Sequence, residues 1–305
     1  MRPKAKERKG DLFGTKVSHS PARLRHLALW ALPAAGALAA AVWLNWPAPS
    51  PPPASTTPPP APTVTTTPPA PAVTTTEPAA SEGPRVAIVI DDLGANLLAA
   101  KSLLAIPQPL TFAILPKLTH SREIAEAAAA AGHDVLLHLP MEPLDYPAKN
   151  PGPGALLRSM TPEAMSEVLR DNLASVPHAV GVNNHMGSRL TQDEETMRLI
   201  LTTLNERRLF FLDSYTTPRS VVSQVARELG MPTASRHVFL DHEPGDPAYV
   251  AAQMERLAAV ARKHGAAIGI GHPRPSTISA LKEHLPKLSE AGIAVVPLST
   301  LITSY

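Results

Sequence analysis

Beyond residue 84, short apolar runs alternate with amphipathic stretches. The first run, Val86 to Ile90, is apolar throughout and rich in β-branched residues, as a strand buried on both faces of a parallel sheet is. Further runs of strand length are Leu110 to Leu115, Val135 to Leu139, Ala179 to Val182, Leu209 to Leu212, His237 to Leu240, Ala266 to Ile270 and Ile293 to Val296. The stretches between them read as helices with one face to lay on a sheet. Thr161 followed by Pro162 predicts a capped helix start leading to Met165, Val168 and Leu169. Thr191 and Glu194 have capping-box spacing ahead of Met197, Ile200, Leu201 and Leu204. After Pro247, the residues Val250, Met254, Leu257 and Ala261 repeat the pattern.

Seven or eight such βα units within residues 85–305 predict an α/β fold of the (β/α)7-8 barrel kind, with an open doubly wound sheet as the alternative. No glycine-rich phosphate loop follows the first strand, since only Leu93 and Gly94 come after Asp92; this speaks against a nucleotide site.

The polar and apolar pattern changes character before residue 85. Residues 1–26 hold eight Lys or Arg against Glu7 and Asp11 and read as a cytoplasmic tail. Leu27 to Leu44 carries no charge, and at ~1.5 Å per residue it reaches roughly 27 Å, close to the hydrocarbon thickness of a bilayer. Trp30, Trp43 and Trp46 stand near its ends. Residues 27–46 are therefore expected to anchor the chain in the inner membrane, N-terminus in the cytoplasm and C-terminal domain in the periplasm. Cleavage as a signal peptide near Ala39 to Ala41 is the alternative, and a soluble core helix suits Pro33 and the uniform apolarity less well.

Residues 47–84 are Pro, Thr, Ala and Ser with an approximate nine-residue repeat, P-A-P-T-V-T-T-T-P and then P-A-P-A-V-T-T-T-E, and are expected to form a disordered, extended linker. Its reach is on the order of 100 Å at ~3.1 Å per residue. From residue 85 on there are 20 of the 28 basic and 22 of the 26 acidic residues, so no basic face for nucleic acid is indicated. With no cysteine, thiolate catalysis, disulfides and Cys-ligated zinc are excluded.

Candidate chemistry gathers where the apolar runs stop. The first ends in Asp91 and Asp92, the third in His138 with Glu142 four positions on, and the fourth in Asn183, Asn184 and His185. Asp213, then Asp241 with His242, and finally His272 follow the later runs. In a barrel these ends open on one mouth, where Asp, His and Asn suit a hard or borderline divalent ion such as zinc. Each residue also has an ordinary role open to it. Asp92 or Asp213 can cap a helix, Asn183 and Asn184 can shape a turn, and His138 can be a hydrogen-bonded core histidine. Paired-carboxylate glycosidase chemistry would leave three histidines at the mouth unexplained. His120, His133, His178, His264 and His284 fall in helices or connections and read as surface residues.

Assembled in order, these residues resemble the polysaccharide deacetylase superfamily, and more closely its divergent branch of exported bacterial proteins, over about residues 85–303. I-D-D-L-G is similar to the motif in which the first Asp is the catalytic base and the second a metal ligand, which implies Asp91 as base and Asp92 as ligand. G-I-G-H-P offers His272 as the acid. The branch carries stretches like H-L-P-M-E-P, N-N-H-M-G-S, F-L-D-S and R-x-V-F-L-D, here at His138 to Pro143, Asn183 to Ser188, Phe211 to Ser214 and Arg236 to Asp241. The superfamily's H-S/T-x-x-H metal motif is absent; His138 keeps its spacing to Glu142, and His185 offers a substitute ligand.

The resemblance implies a distorted barrel in which Asp92, His138 and His185 hold a divalent metal, zinc by expectation. Glu142, Asn183, Asn184, Asp213, Arg236 and Asp241 would then support the site or bind substrate. The implied activity is hydrolysis of N-acetyl or O-acetyl groups on a cell-envelope polysaccharide. The alternative is a non-catalytic glycan-binding or cell-wall regulatory protein that retains the fold.

Overall fold

Strand β1 (Arg85–Leu93) explains most of what surrounds it. In the computed structural model, which describes residues 83–242 and 245–302, Val86 through Ile90 are fully buried. Both edges of β1 are used. One pairs in parallel with β8 (Ala266–Gly271) from Arg85 to Ile90. The other is shared, β9 (Ala294–Val295) taking Arg85 and Val86 and β2 (Thr111–Ile114) taking Val89 onward.

From β2 the parallel ladder continues through β3 (Asp134–Met141), β4 (Ala179–Met186), β5 (Phe210–Asp213) and β6 (Thr233–Ser235). On the far side of β8 lies β7 (Val238–Phe239). The order β6-β5-β4-β3-β2-β1-β8-β7 is that of a ring opened between β6 and β7, which only Arg236 and His237 separate in the chain. The expected barrel is thus a curled parallel sheet: among the described residues no ladder joins β6 to β7. Eight of the strands coincide with the apolar runs of the sequence. The ninth, Thr-Ala-Ser, is short and polar and gives no such signal.

Alternation along the strands builds two cores. Val86, Ile88 and Ile90 face the helices, in one layer with Leu137, Leu139 and Phe211. Ala87 and Val89 face inward with Ala113, Leu136, Leu212, Ile268 and Ile270. The inner layer is narrow enough that a Cβ on Gly181 would come within 2.5 Å of the Phe210 ring.

The helices α1 (Leu97–Leu104), α2 (Ser121–Ala130), α3 (Pro162–Ser175), α4 (Glu194–Asn205), α5 (Val222–Glu228), α6 (Pro247–His264) and α7 (Pro275–Glu290) connect the strands. Thr161 caps α3 as expected, accepting the Ala164 N–H. The start of α4 differs from expectation. Asp193, not Thr191, is its cap, because Thr191 lies in a short 3-10 turn and donates its hydroxyl to Gly187 O at 2.9 Å. The expected membrane span, and the expected linker up to residue 82, lie outside the described residues, among which no helix is long and apolar enough to cross a membrane.

Candidate metal and catalytic site

The two adjacent aspartates reach one mouth because β1 is bulged. Between Ile90 and Leu93 the strand advances three residues while β2 advances two, from Phe112 to Ile114. Alternation aims Asp91 inward after Ala87 and Val89, and the extra residue lets Asp92 stay on the same side. Asp92 adopts φ +57°, a left-handed conformation an aspartate accepts more readily than most residues. Gly94 then turns the chain at φ +127°, where a Cβ would stand 3.1 Å from Leu115 O.

The same alternation places His138 and His185. His138 follows Leu136 on β3, and His185 follows Asn183 and Gly181 on β4; the strands pair His138 with Asn183. β4 runs four residues past its apolar run, so the N-N-H stretch is strand rather than turn.

Three atoms meet at this point. Asp92 Oδ1 lies 3.2 Å from His138 Nε2 and 2.9 Å from His185 Nδ1, and the two nitrogens are 3.1 Å apart. A tetrahedral ion with bonds of ~2.0–2.1 Å sets its ligand atoms roughly 3.3 Å apart, so the triangle has the size of one coordination face.

The hydrogen-bond pattern points the same way. Asn183 Nδ2 donates to Asp91 Oδ1 at 2.8 Å and to Ser214 Oγ at 3.2 Å, which leaves its Oδ1 to accept from His138 Nδ1 at 2.9 Å. With the proton on Nδ1, a neutral His138 turns the lone pair of Nε2 toward Asp92 Oδ1, a buried atom without a hydrogen-bond partner among the described residues. Two lone pairs converging on one point call for a cation: an imidazolium or a metal ion. The residues therefore fit a divalent metal held by Asp92, His138 and His185.

Asp91 and His272 flank this triangle. Asp91 Oδ2 is 3.7 Å from His138 Nε2, and burial pushes its carboxyl up, partly offset by the charges of His138 and His272 and by Asn183. Burial also acts upward on Asp92, but the close approach of the His138 and His185 rings outweighs it and holds this carboxyl well below the usual range. His272 Nε2 approaches Asp92 Oδ2 at 3.6 Å while its Nδ1 is 2.9 Å from Asp241 Oδ1. Asp241 Oδ2 further accepts the His272 N–H and the Thr277 hydroxyl, both at 2.7 Å. Burial lowers the His272 imidazole, yet the carboxylates of Asp241, Asp92 and Asp91, Asp241 foremost, together more than compensate and raise it.

The remaining candidates separate. Asn184 accepts the Ser214 N–H and lines the cleft. Asp213 is buried and bonds Tyr215 N–H and the Ser220 hydroxyl, shaping the loop after β5 rather than lining the cleft. Glu142 lies outside the cleft lining. Its carboxylate accepts Arg158 N–H at 2.6 Å and pairs with Arg189 at 3.0 Å, clamping the loop between β3 and α3. Arg236 does line the cleft, its guanidinium 5.1 Å from the centre of the Phe239 ring.

Ser214, Phe239 and Thr277 are contributors that sequence reasoning missed. Ser214 and Phe239 stand inside the motifs F-L-D-S and R-x-V-F-L-D, where a role could have been assigned; Thr277 is revealed only by its contact with Asp241. The cleft that Ser214 and Phe239 help line has a volume of about 440 Å³.

Residues 88–302 match the profile of a family described as divergent polysaccharide deacetylase. An uncharacterized protein of Haemophilus influenzae is 39% identical over 206 residues, 68% of this chain and 72% of that one. The uncharacterized protein YibQ of Escherichia coli is 36% identical over 219 residues, 72% of this chain and 67% of its own length. Among solved structures, an uncharacterized protein from Agrobacterium tumefaciens C58 superposes with a TM-score of 0.70 at 27% identity, over 73% of this chain and 91% of that one.

Proposed function

The chain belongs to the divergent polysaccharide deacetylase family, and from that membership we propose that it is a metal-dependent hydrolase releasing acetyl groups, N- or O-linked, from a cell-envelope polysaccharide. The observation that carries the reading is the triangle of Asp92, His138 and His185 beside a buried carboxylate and a carboxylate-paired imidazole. Two imidazole nitrogens and one carboxylate oxygen are the donor set of many catalytic zinc sites, which keep a further position open. Bound there, a divalent ion, zinc by this donor set, would polarise the acetyl carbonyl and make water more acidic.

The other roles fall to the chain itself. Hydrolysis needs one proton taken from water as its oxygen attacks the acetyl carbon, and one given to the departing amine nitrogen or alcohol oxygen as the bond to carbon breaks. Asp91 is suited to take the first, because Asn183 occupies Oδ1 while Oδ2 faces the triangle. His272 is suited to give the second, because Asp241 fixes Nδ1 and favours the protonated ring, turning Nε2 toward the mouth. Asp241 is a positioning residue here, acting through His272. We place this chemistry outside the cytoplasm, on a domain tethered by residues 27–46 and spaced by the Pro/Thr-rich stretch; the charge asymmetry around the apolar segment supports that placement.

The test is metal analysis of the purified full-length chain together with acetate release from acetylated glycans. The expected result is one divalent ion per chain, lost in Asp92→Ala, and turnover reduced ~10²–10⁴-fold in Asp91→Asn with the metal retained. Metal-free wild-type protein that binds glycans without releasing acetate would sink catalysis in favour of a glycan-binding role.

A further inference from the structure

Arg236 is the cation of this cleft that the chemistry above leaves unused. Asp92 is matched by His138 and His185, Asp241 by His272, and Asp91 is held by Asn183. No carboxylate among the described residues comes within 4.0 Å of Arg236; Asp213 and Asp91 act on it only at longer range.

Its orientation is nevertheless tightly defined. Nε donates to Ser214 O at 2.9 Å, Nη2 donates to Tyr215 O at 3.2 Å, and the plane lies over Phe239. Of the five N–H donors of a guanidinium, these bonds leave both on Nη1 and one on Nη2, an end-on fork of the shape that grips a carboxylate. Phe239 in turn packs edgewise on His272 with centroids 5.4 Å apart. Arg236, Phe239 and His272 thus form one continuous wall, with the fork one aromatic ring away from the group assigned to protonate the leaving atom.

We propose that the free fork of Arg236 binds a carboxylate carried on the sugar being deacetylated or on its neighbour, so that the substrate is an acidic rather than a neutral glycan. This rests on the deacetylase reading for where the substrate lies. Burial already disfavours the lone guanidinium charge, so an anionic partner relieves an existing cost. The planar fork favours a carboxylate over a single hydroxyl, and a lysine could not reproduce it.

Equilibrium binding tests the proposal without requiring turnover. Full-length protein is titrated at fixed salt with a tetrasaccharide alternating glucuronate and N-acetylglucosamine, and with the same tetrasaccharide after its carboxyls are reduced to alcohols. The acidic form should bind roughly 10–100-fold more tightly, as charged hydrogen bonds do. Arg236→Gln should erase the preference while leaving affinity for the neutral form within about threefold, and Arg236→Lys should restore only part of it. Equal affinity of the wild type for the two forms would overturn the proposal even if Arg236→Gln does not fold. A preference surviving in folded Arg236→Gln, or tighter binding of a phosphorylated oligosaccharide, would also overturn it. Acetate release without the preference refutes this inference alone; the preference without acetate release refutes the catalytic reading alone.

Discussion

At Asn183 a neutral amide stands between a buried carboxylate and a buried imidazole, bonded to both. An arginine in that place would hold Asp91 but could not accept from His138; a carboxylate would repel Asp91. The amide does both jobs, and in doing so it fixes which nitrogen of His138 faces the mouth. Asn183→Leu should therefore weaken zinc binding by ~10–100-fold, measured by competition with a chromophoric chelator. Affinity within twofold of wild type would show that His138 needs no such orientation. The sequence showed that an Asn pair ended an apolar run. It could not show that the first of the pair bridges two other strands, because that depends on ladder register.

Elements ordered by histidines bring a pH dependence that is separate from the mouth. His133 precedes β3; its Nδ1 accepts the Leu110 N–H at 3.2 Å, just before β2, and its ring packs on Phe112. His237 does the same for Ile268 N–H in β8 at 3.1 Å. Both imidazoles are held below their ordinary value of 6.5, by burial first. The folded state then binds fewer protons than the unfolded state, so this contribution is complete above pH 6.5 and is lost as pH falls from there toward the depressed value. His272 is raised and works in the opposite sense, so the check is a difference: in urea unfolding between pH 7.5 and 5, His133→Asn, which keeps an acceptor but cannot titrate, should lose less stability with acidity than wild type. An unchanged slope would exclude His133 as a source.

The elements themselves were largely legible. Eight strands announced themselves as apolar runs, and Thr161 and the face of α4 read correctly. Three features escaped. β6 is three residues long and not apolar, β4 extends through polar residues whose side chains meet at the mouth, and His133 looked like a surface residue although its ring nitrogen serves the sheet. Apolar periodicity reports burial against a core, and polar side chains buried against each other leave no such trace.

For the molecule as a whole, the triangle matters because its corners stand on three strands, β1, β3 and β4, which all belong to one ladder. An ion held there binds the folded chain only, so it stabilises by mass action, about 2.7 kcal/mol at a hundredfold excess over its Kd. Chelation should accordingly lower the unfolding temperature by roughly 5–10 °C in wild type. In His185→Ala chelation should change it little, and a wild-type midpoint indifferent to chelator would argue against a resident ion. That distant residues would converge was readable from where the runs ended. That no ladder would join β6 to β7 among the described residues was not, since β6 is short and not apolar and so left no signal of its edge.

The bulge in β1 sets heat endurance against the proposed chemistry at a single position. A strand without the extra residue would pair evenly with its neighbour and escape a left-handed aspartate costing on the order of 1 kcal/mol. It would also turn the second carboxylate away from the histidines. This strand is thus regular up to the point where the acetyl group would arrive, and irregular only there.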